Sequence, residues 1–325
     1  MTSLLARTEP TLRRVAGWIA RRIKVVQTRY RWLGYVITAG ALLYVVILFA
    51  YGWSQLEAVN WGRFAPALAI SLLLYQISLL VQFIIWVRFF STHHRASWQD
   101  VDIYARVLLL RRLPGGIWHW VGRTAMYSAR TTVPAKVAAL ANVWELLMLL
   151  LVAAGIVLYT QPQLATVAQV SLGTLCILAA LILGSQWQSE ARPGHLRLVE
   201  SLGWTALYAL AWGLGGGIVY LLGRAAGAET LTLSAATRIW ATAGGVGMLI
   251  VFIPAGLGIR EITLTWLLQP YMPSATAILV AVLMRLLFIV ADVLGGGMGW
   301  GLSAYFLGRA AQSEFSADPP GHEEG

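Results

Sequence analysis

Leu113-Pro114-Gly115-Gly116-Ile117 and Ile253-Pro254-Ala255-Gly256-Leu257-Gly258-Ile259 are two short Pro/Gly segments in an otherwise apolar chain. The first leads to Arg123, and the second runs directly into Arg260 and Glu261. Proline and glycine interrupt a helix. In hydrocarbon, broken backbone persists only where protein or a water-filled cavity covers it. Two interrupted hydrophobic segments, one in each half of a chain, point to a binding site at a repeat interface. The pair therefore predicts an all-α polytopic membrane protein that receives a polar or anionic group inside the bilayer.

Composition agrees with this reading. Of 325 residues, 58% are hydrophobic and only 12% are charged, and mean hydropathy is +0.68. A soluble domain carries about twice that share of charge. The net charge of +10 is not a nucleic-acid footprint, because the basic residues cluster beside apolar spans, where they set topology and meet lipid head groups. Cys176 is the single cysteine. It cannot form an internal disulfide and reads as a small packed hydrophobe.

Residues 1–32 form a basic arm in which Arg13, Arg14, Arg21, Arg22 and Lys24 interleave with Val15, Trp18 and Ile19. This pattern predicts an amphipathic helix on the cytoplasmic leaflet. The apolar stretch that follows is long enough to span and reads as a signal anchor, not a cleaved signal. The membrane domain covers 33–309, with spans near 33–52, 64–90, 138–160, 165–184, 201–222 and 274–308. Each is close to or above the ~20 residues a bilayer needs. Residues 101–136 and 232–270 hold the two breaks and are expected to form re-entrant hairpins from opposite faces. Six spans with two hairpins, or eight full spans, both leave the N- and C-termini in the cytoplasm. The loop with Arg192, His195 and Arg197 is also expected inside. Residues 310–325 are polar and Pro/Gly-rich, and read as a disordered cytoplasmic tail.

Aligning Pro114 with Pro254 gives an offset of 140 residues, which also places Glu145 on Arg285. The predicted repeat halves are about 64–184 and 201–309, inverted because their hairpins start from opposite faces.

Intramembrane ionisable residues are functional candidates, since a lone charge there is expensive. Arg260, Glu261, Arg285 and Glu145 lead this set, joined by Arg123 and His119 beside the first break. Pro114, Pro254, Gly256 and Gly258 shape the breaks, and the helix N-termini released there offer N–H donors to an anion. The same charges also suit an internal network, for example Glu145 with Arg285. Arg123 at the interface would then simply snorkel. Asp292 lies seven residues beyond Arg285, on the same helical face. Ser71, Tyr75, Ser78 and Gln82 make a polar stripe that either lines a groove or bonds between helices. Gly213, Gly217, Gly244 and Gly247 are expected to permit close helix packing. Gly295, Gly296, Gly297, Gly299 and Gly301 mark a bend or a close approach. The histidines lack metal-ligand spacing, and the chain contains no Walker segment. No external loop holds a pair of acidic residues for glycosyl transfer. The expectation is a non-enzymatic protein without cofactor or metal.

On Leu113–Arg123 and on Ile253–Glu261 the chain resembles the lysylphosphatidylglycerol synthase transmembrane, or flippase-like, family, over roughly residues 30–310. Family members typically show Pro-x-Gly-hydrophobic-Gly-x-Arg-Glu at the second segment. Many carry a lysine soon after the first Pro-Gly, where this chain has Trp118 and His119. The resemblance implies lipid translocation in the bacterial plasma membrane, with an anionic phospholipid or a polyprenyl-phosphate-linked envelope precursor as substrate. The soluble transferase domain of the two-domain synthases has no counterpart here. A non-catalytic scaffold for an envelope glycosyltransferase is the alternative, and a membrane-embedded transferase the weakest reading. A homo-oligomer is compatible with each.

Overall fold

The computed structural model describes residues 61–111, 118–187, 194–249 and 259–317. The basic arm, the first span at 33–52 and both Pro/Gly breaks lie outside these residues, with Pro114, Pro254, Gly256 and Gly258 among them. The described chain is all helical. In order the helices are α1 (Trp61–Phe89), α2 (Trp98–Leu110), α3 (Trp118–Arg130), α4 (Ala135–Tyr159), α5 (Thr166–Gln186), α6 (Gly194–Ala225), α7 (Leu233–Leu249), α8 (Ile259–Leu268) and α9 (Ser274–Ala317). Helices α1, α4, α5, α6 and α9 are long and apolar enough to cross a membrane. They match the predicted spans from 64–90 onward, and the protein is a multi-pass membrane protein.

Within 101–136 the described helices α2 and α3 pack as an antiparallel pair, the arrangement expected of a re-entrant hairpin. Helices α2 and α3 have 13 residues each, which is about 20 Å of helix and too short for a hydrocarbon core of about 30 Å. They run antiparallel. Asp100, at the start of α2, accepts the hydroxyl of Tyr127 near the end of α3 at 2.9 Å. The loops at the two open ends also meet, since Thr132 Oγ1 donates to the His93 carbonyl at 2.6 Å. A chain that crossed the bilayer between those loops could not join them. Asp100 also closes the first turn of α2 by accepting the Ser97 N–H at 2.7 Å, and His94 Nε2 lies 3.0 Å from its Oδ2. Two residues further on, Asp102 binds Arg106 at 2.9 Å and also Arg130. Burial raises the Asp102 carboxyl, but the two guanidinium groups outweigh it and hold its pKa below the ordinary value.

Helices α7 and α8 open toward the opposite face. Arg238, near the start of α7, donates to the carbonyl of Thr160, just past α4. A Cβ at Gly223 would meet Leu231 at 2.5 Å and Met272 at 3.6 Å. The end of α6 and the loops on either side of the second hairpin therefore share that face. The first face gathers the end of α1, the open end of the first hairpin and the later part of α9. There Trp98 stacks on Phe306 with centroids 4.2 Å apart, and Trp187 Nε1 donates to the Phe89 carbonyl at 3.0 Å.

Shifted by 140 residues, α1 falls on 201–229, α2 on 238–250, α3 on 258–270 and α4 on 275–299, the positions of α6, α7, α8 and α9. The packing follows the same correspondence. Helix α2 packs on α9 while α7 packs on α4, and α1 packs on α6. Each half thus lays its first half-helix against the long helix of the other.

Two apolar cores result. One surrounds the first hairpin with Trp86, Phe89, Tyr127, Met148 and Tyr208. The other surrounds the second with Phe64, Leu222, Leu264, Met284 and Phe288. Tyr104 and Trp240 pack against both. Between helices in lipid, van der Waals fit replaces the hydrophobic driving force, so small residues matter. Gly215 lies against the Trp240 indole, and a Cβ at Gly216 would stand 2.5 Å from the Thr237 Cα. A Cβ at Gly244 would run into Trp212, and one at Gly247 would stand 3.4 Å from Arg260.

Several expectations change. Gly213 faces open space, so the close approach on α6 belongs to Gly215 and Gly216. Helix α9 runs unbroken through its glycines. Of these, a Cβ at Gly295 would meet Gln76 at 2.8 Å and one at Gly299 would meet Ala105 at 3.1 Å, while Gly297 and Gly301 face open space. Helix α9 continues to Ala317, through the first residues of the tail predicted for 310–325, and the rest of that tail lies outside the described residues. The Ala-Ala-Gln-Ser-Glu run at 310–314 favours helix, and the first proline stands only at 319. His195 and Arg197 belong to the first turn of α6, not to a loop.

The re-entrant geometry predicts labelling sidedness. On a Cys176→Ala background, Ser91→Cys and Ser128→Cys should react with an impermeant maleimide from one face of a sealed vesicle. Gln163→Cys and Glu229→Cys should react from the other. Reaction of Ser91→Cys and Ser128→Cys from opposite faces would mean a full crossing.

Candidate functional site

Between the two cores lies a cavity of about 280 Å³, at the lower end of the range for ligand pockets. Of the described helices, all but α5 contribute to its wall. Helix α1 supplies Tyr75, Ser78 and Gln82, and α2 supplies Tyr104 with Arg111 just past its end. Helices α3 and α4 supply His119, Trp120, Arg123 and Glu145. The second half adds Trp212, Trp240, Arg260, Glu261, Arg285 and Phe288. All six described candidates, Arg260, Glu261, Arg285, Glu145, Arg123 and His119, meet in this one space.

Their pairing differs from the expected network. Glu145 binds Arg123, with Nη2 3.0 Å from Oε2, and not Arg285. Arg285 instead donates to Glu261 Oε1 at 2.9 Å, and Arg260 reaches the same oxygen at 3.2 Å. The reason is local. Early in each returning arm stands the charge that makes the pair, Arg123 on α3 and Glu261 on α8, the latter directly after Arg260. The helix that follows carries the opposite charge at matching depth. Each pair is therefore closed within its own half.

Arg123 does not snorkel. It is 5% exposed, and its guanidinium lies 3.7 Å from the Trp86 ring centroid, a cation–π contact in a water-poor setting. Its Nε finds no hydrogen-bond partner. The second cluster is more open. The side chains of Arg285 and Arg260 are 30% and 25% exposed, against 8% for Glu261. Arg260 stands between two rings, 5.6 Å from Trp240 and 5.5 Å from Phe288. The cavity can thus offer charge-assisted donors from Arg260 and Arg285 while their shared carboxylate stays buried.

The polar stripe divides. Tyr75, Ser78 and Gln82 line the cavity, whereas Ser71 is fully buried behind it. Tyr75 stacks on Phe288 with centroids 4.4 Å apart and donates to Asp292 at 2.9 Å. Asp292 therefore stands behind the wall and fixes Tyr75. Gln82 donates to Ser78 at 3.2 Å. Sequence reasoning had not chosen Arg111, Tyr104, Trp240 or Phe288. Arg111 carried a usable signal, since it stands two residues before the first break, much as Arg260 directly follows the second. The aromatic residues carried none, because Trp and Tyr abound in any span of this chain. Among the described residues, no cluster of His, Cys, Asp and Glu is fit to hold a metal ion.

No family model matches the chain, and no curated protein matches it.

The sealed pair gives a stability test. Glu145→Ala leaves Arg123 charged and buried, and should cost about 3 kcal/mol. Adding Arg123→Ala should restore part of that loss, since no lone charge is then left. Thermal melting of the purified protein in detergent checks both, and an additive double variant would mean that the pair is uncoupled.

Proposed function

We propose that the protein is a non-enzymatic, flippase-like lipid transporter of a bacterial plasma membrane, with both termini cytoplasmic. It takes the anionic head group of a membrane lipid into the cavity between its hairpins while the acyl or prenyl tails stay in lipid. The observation that carries this reading is the convergence of four arginines on one cavity inside a bundle of membrane-spanning helices. Arg260 and Arg285 are the contacting groups, and Glu261 holds them apart from bulk lipid when the site is empty. Glu145 neutralises Arg123, and His119 and Trp120 close the wall at the first hairpin. The two halves act as inverted repeats around this fixed site, a construction common among transporters. The Pro-Ala-Gly-Leu-Gly-Ile-Arg-Glu segment at 254–261 supports placing the chain in the flippase-like family. On that placement the substrate is an anionic phospholipid or a polyprenyl-phosphate-linked precursor.

A second reading is favoured by one observation, the sealed Arg123–Glu145 pair. In it the charges are structural, and the protein serves as a scaffold for an envelope glycosyltransferase.

Head-group scrambling in proteoliposomes separates the two. Wild type should move labelled phosphatidylglycerol or polyprenyl phosphate between leaflets. Arg260→Ala and Arg285→Ala should each slow this by a factor of about ten or more. Either variant leaves Glu261 one arginine partner, so melting should shift little. Well-folded protein that moves neither lipid would favour the scaffold.

A further inference from the structure

Arg111 differs from the other arginines of the cavity wall. Arg123 is paired with Glu145 and lies on the Trp86 ring. Arg260 and Arg285 share Glu261. Arg111 is half-buried and lines the same space. Among the described residues its side chain makes no ion pair and no hydrogen bond. Its charge is nonetheless compensated. Arg111 caps the C-terminal end of α2, where its own N–H returns to the Val107 and Leu108 carbonyls, and the helix dipole there favours a cation. Burial opposes the charge, while Asp292 and Glu145 favour it through their fields. Each of these carboxylates is in contact with another group, Asp292 with the Tyr75 hydroxyl at 2.9 Å and Glu145 with Arg123. Arg111 is therefore balanced from a distance, and its guanidinium donors stay uncommitted. Donors left unmade in a site poor in water are costly, and a guanidinium cannot escape by losing its proton.

We infer that Arg111 is a third anion-contacting residue of the cavity, whose planar fork meets the phosphoryl oxygens of the head group from the first half of the chain. Asp292 is its positioning residue, a counter-charge that acts on Arg111 from outside the lining. The inference rests on the anionic-head-group reading above and deepens it. Arg260 and Arg285 approach from the second half, so a phosphoryl group between them and Arg111 is held by both halves at once. The field of Asp292 also tempers the grip, which suits a carrier that must release what it binds.

Calorimetry on the full chain in detergent tests this. The probes are dihexanoyl-phosphatidylglycerol, geranyl phosphate and inorganic phosphate. Arg111→Gln should weaken both lipid probes by about tenfold or more, through loss of charge-assisted hydrogen bonds. Arg111→Lys should fall between, since it keeps the charge and loses the fork. Asp292→Asn still accepts the Tyr75 hydroxyl but removes the opposing field, and should tighten both lipid probes by about threefold or more. A purely structural Asp292 would give no change or the opposite sign. Wild-type affinity in well-folded Arg111→Gln, with binding lost in Arg260→Ala, would overturn the assignment of Arg111 and leave the anionic head group standing. Wild type that binds neither lipid probe would overturn both. Inorganic phosphate held as tightly as the lipid probes would make a free anion the ligand and overturn the head group. Should Arg111→Gln fail to fold, Asp292→Asn decides: tighter binding supports the inference, and unchanged or weaker binding overturns it.

Discussion

A guanidinium or carboxylate inside hydrocarbon costs several kcal/mol unless it meets an opposite charge or water. The architecture is organised around that constraint. Arg123 and Glu145 meet at 3.0 Å, and Arg285 and Glu261 at 2.9 Å. Each contact joins the returning arm of a hairpin to the long helix behind it. Without them, two short half-helices with apolar partners on every side would carry uncompensated charge at their deepest points. The pairs are thus what allows broken helices to end within the bundle. The interior they keep polar is the space that the aromatic and arginine side chains then line.

The two cores meet only narrowly, and the cavity sits where they meet. Tyr104 and Trp240 belong to both, and Trp240 also touches Phe288 at a centroid distance of 5.5 Å. Arg260 lies against that same pair of rings. Any relative movement of the halves is therefore felt at Arg260 through rigid aromatic contacts. The group proposed to hold the ligand thus shares its support with Trp240, which packs against both cores.

Much of this was legible in the sequence. Apolar length alone located the five described spans to within a few residues at most ends. The Pro/Gly breaks marked the hairpins, and charge placed among apolar residues picked six side chains that converge. The partners of those charges were not legible. Pairing Glu145 with Arg285 follows from aligning the halves on their breaks. Within each half, however, Arg123 and Glu261 stand at the tips of returning arms, and only the fold shows that a tip faces the next helix. Arg111 was legible only from its nearness to the first break, against the usual topological role of a basic residue beside a span. The aromatic lining was invisible because 15 tryptophans and 12 tyrosines leave no contrast from which to choose. The close approach at Gly215 and Gly216 was missed for a related reason. Gly213 and Gly217 have helical spacing, but the crossing point of α6 and α7 falls between them.

The matched positions of the two halves carry opposite signs. Arg123 corresponds to Glu261, shifted by 138 residues, and Glu145 to Arg285, shifted by 140. A hairpin that docked on the wrong long helix during assembly would set Arg123 against Arg285, or Glu261 against Glu145. Both errors bring like charges together in a medium that screens them poorly. Two halves similar enough to be confused are thereby kept distinguishable, and the polarity reversal works as a lock-and-key for the chain's own insertion order.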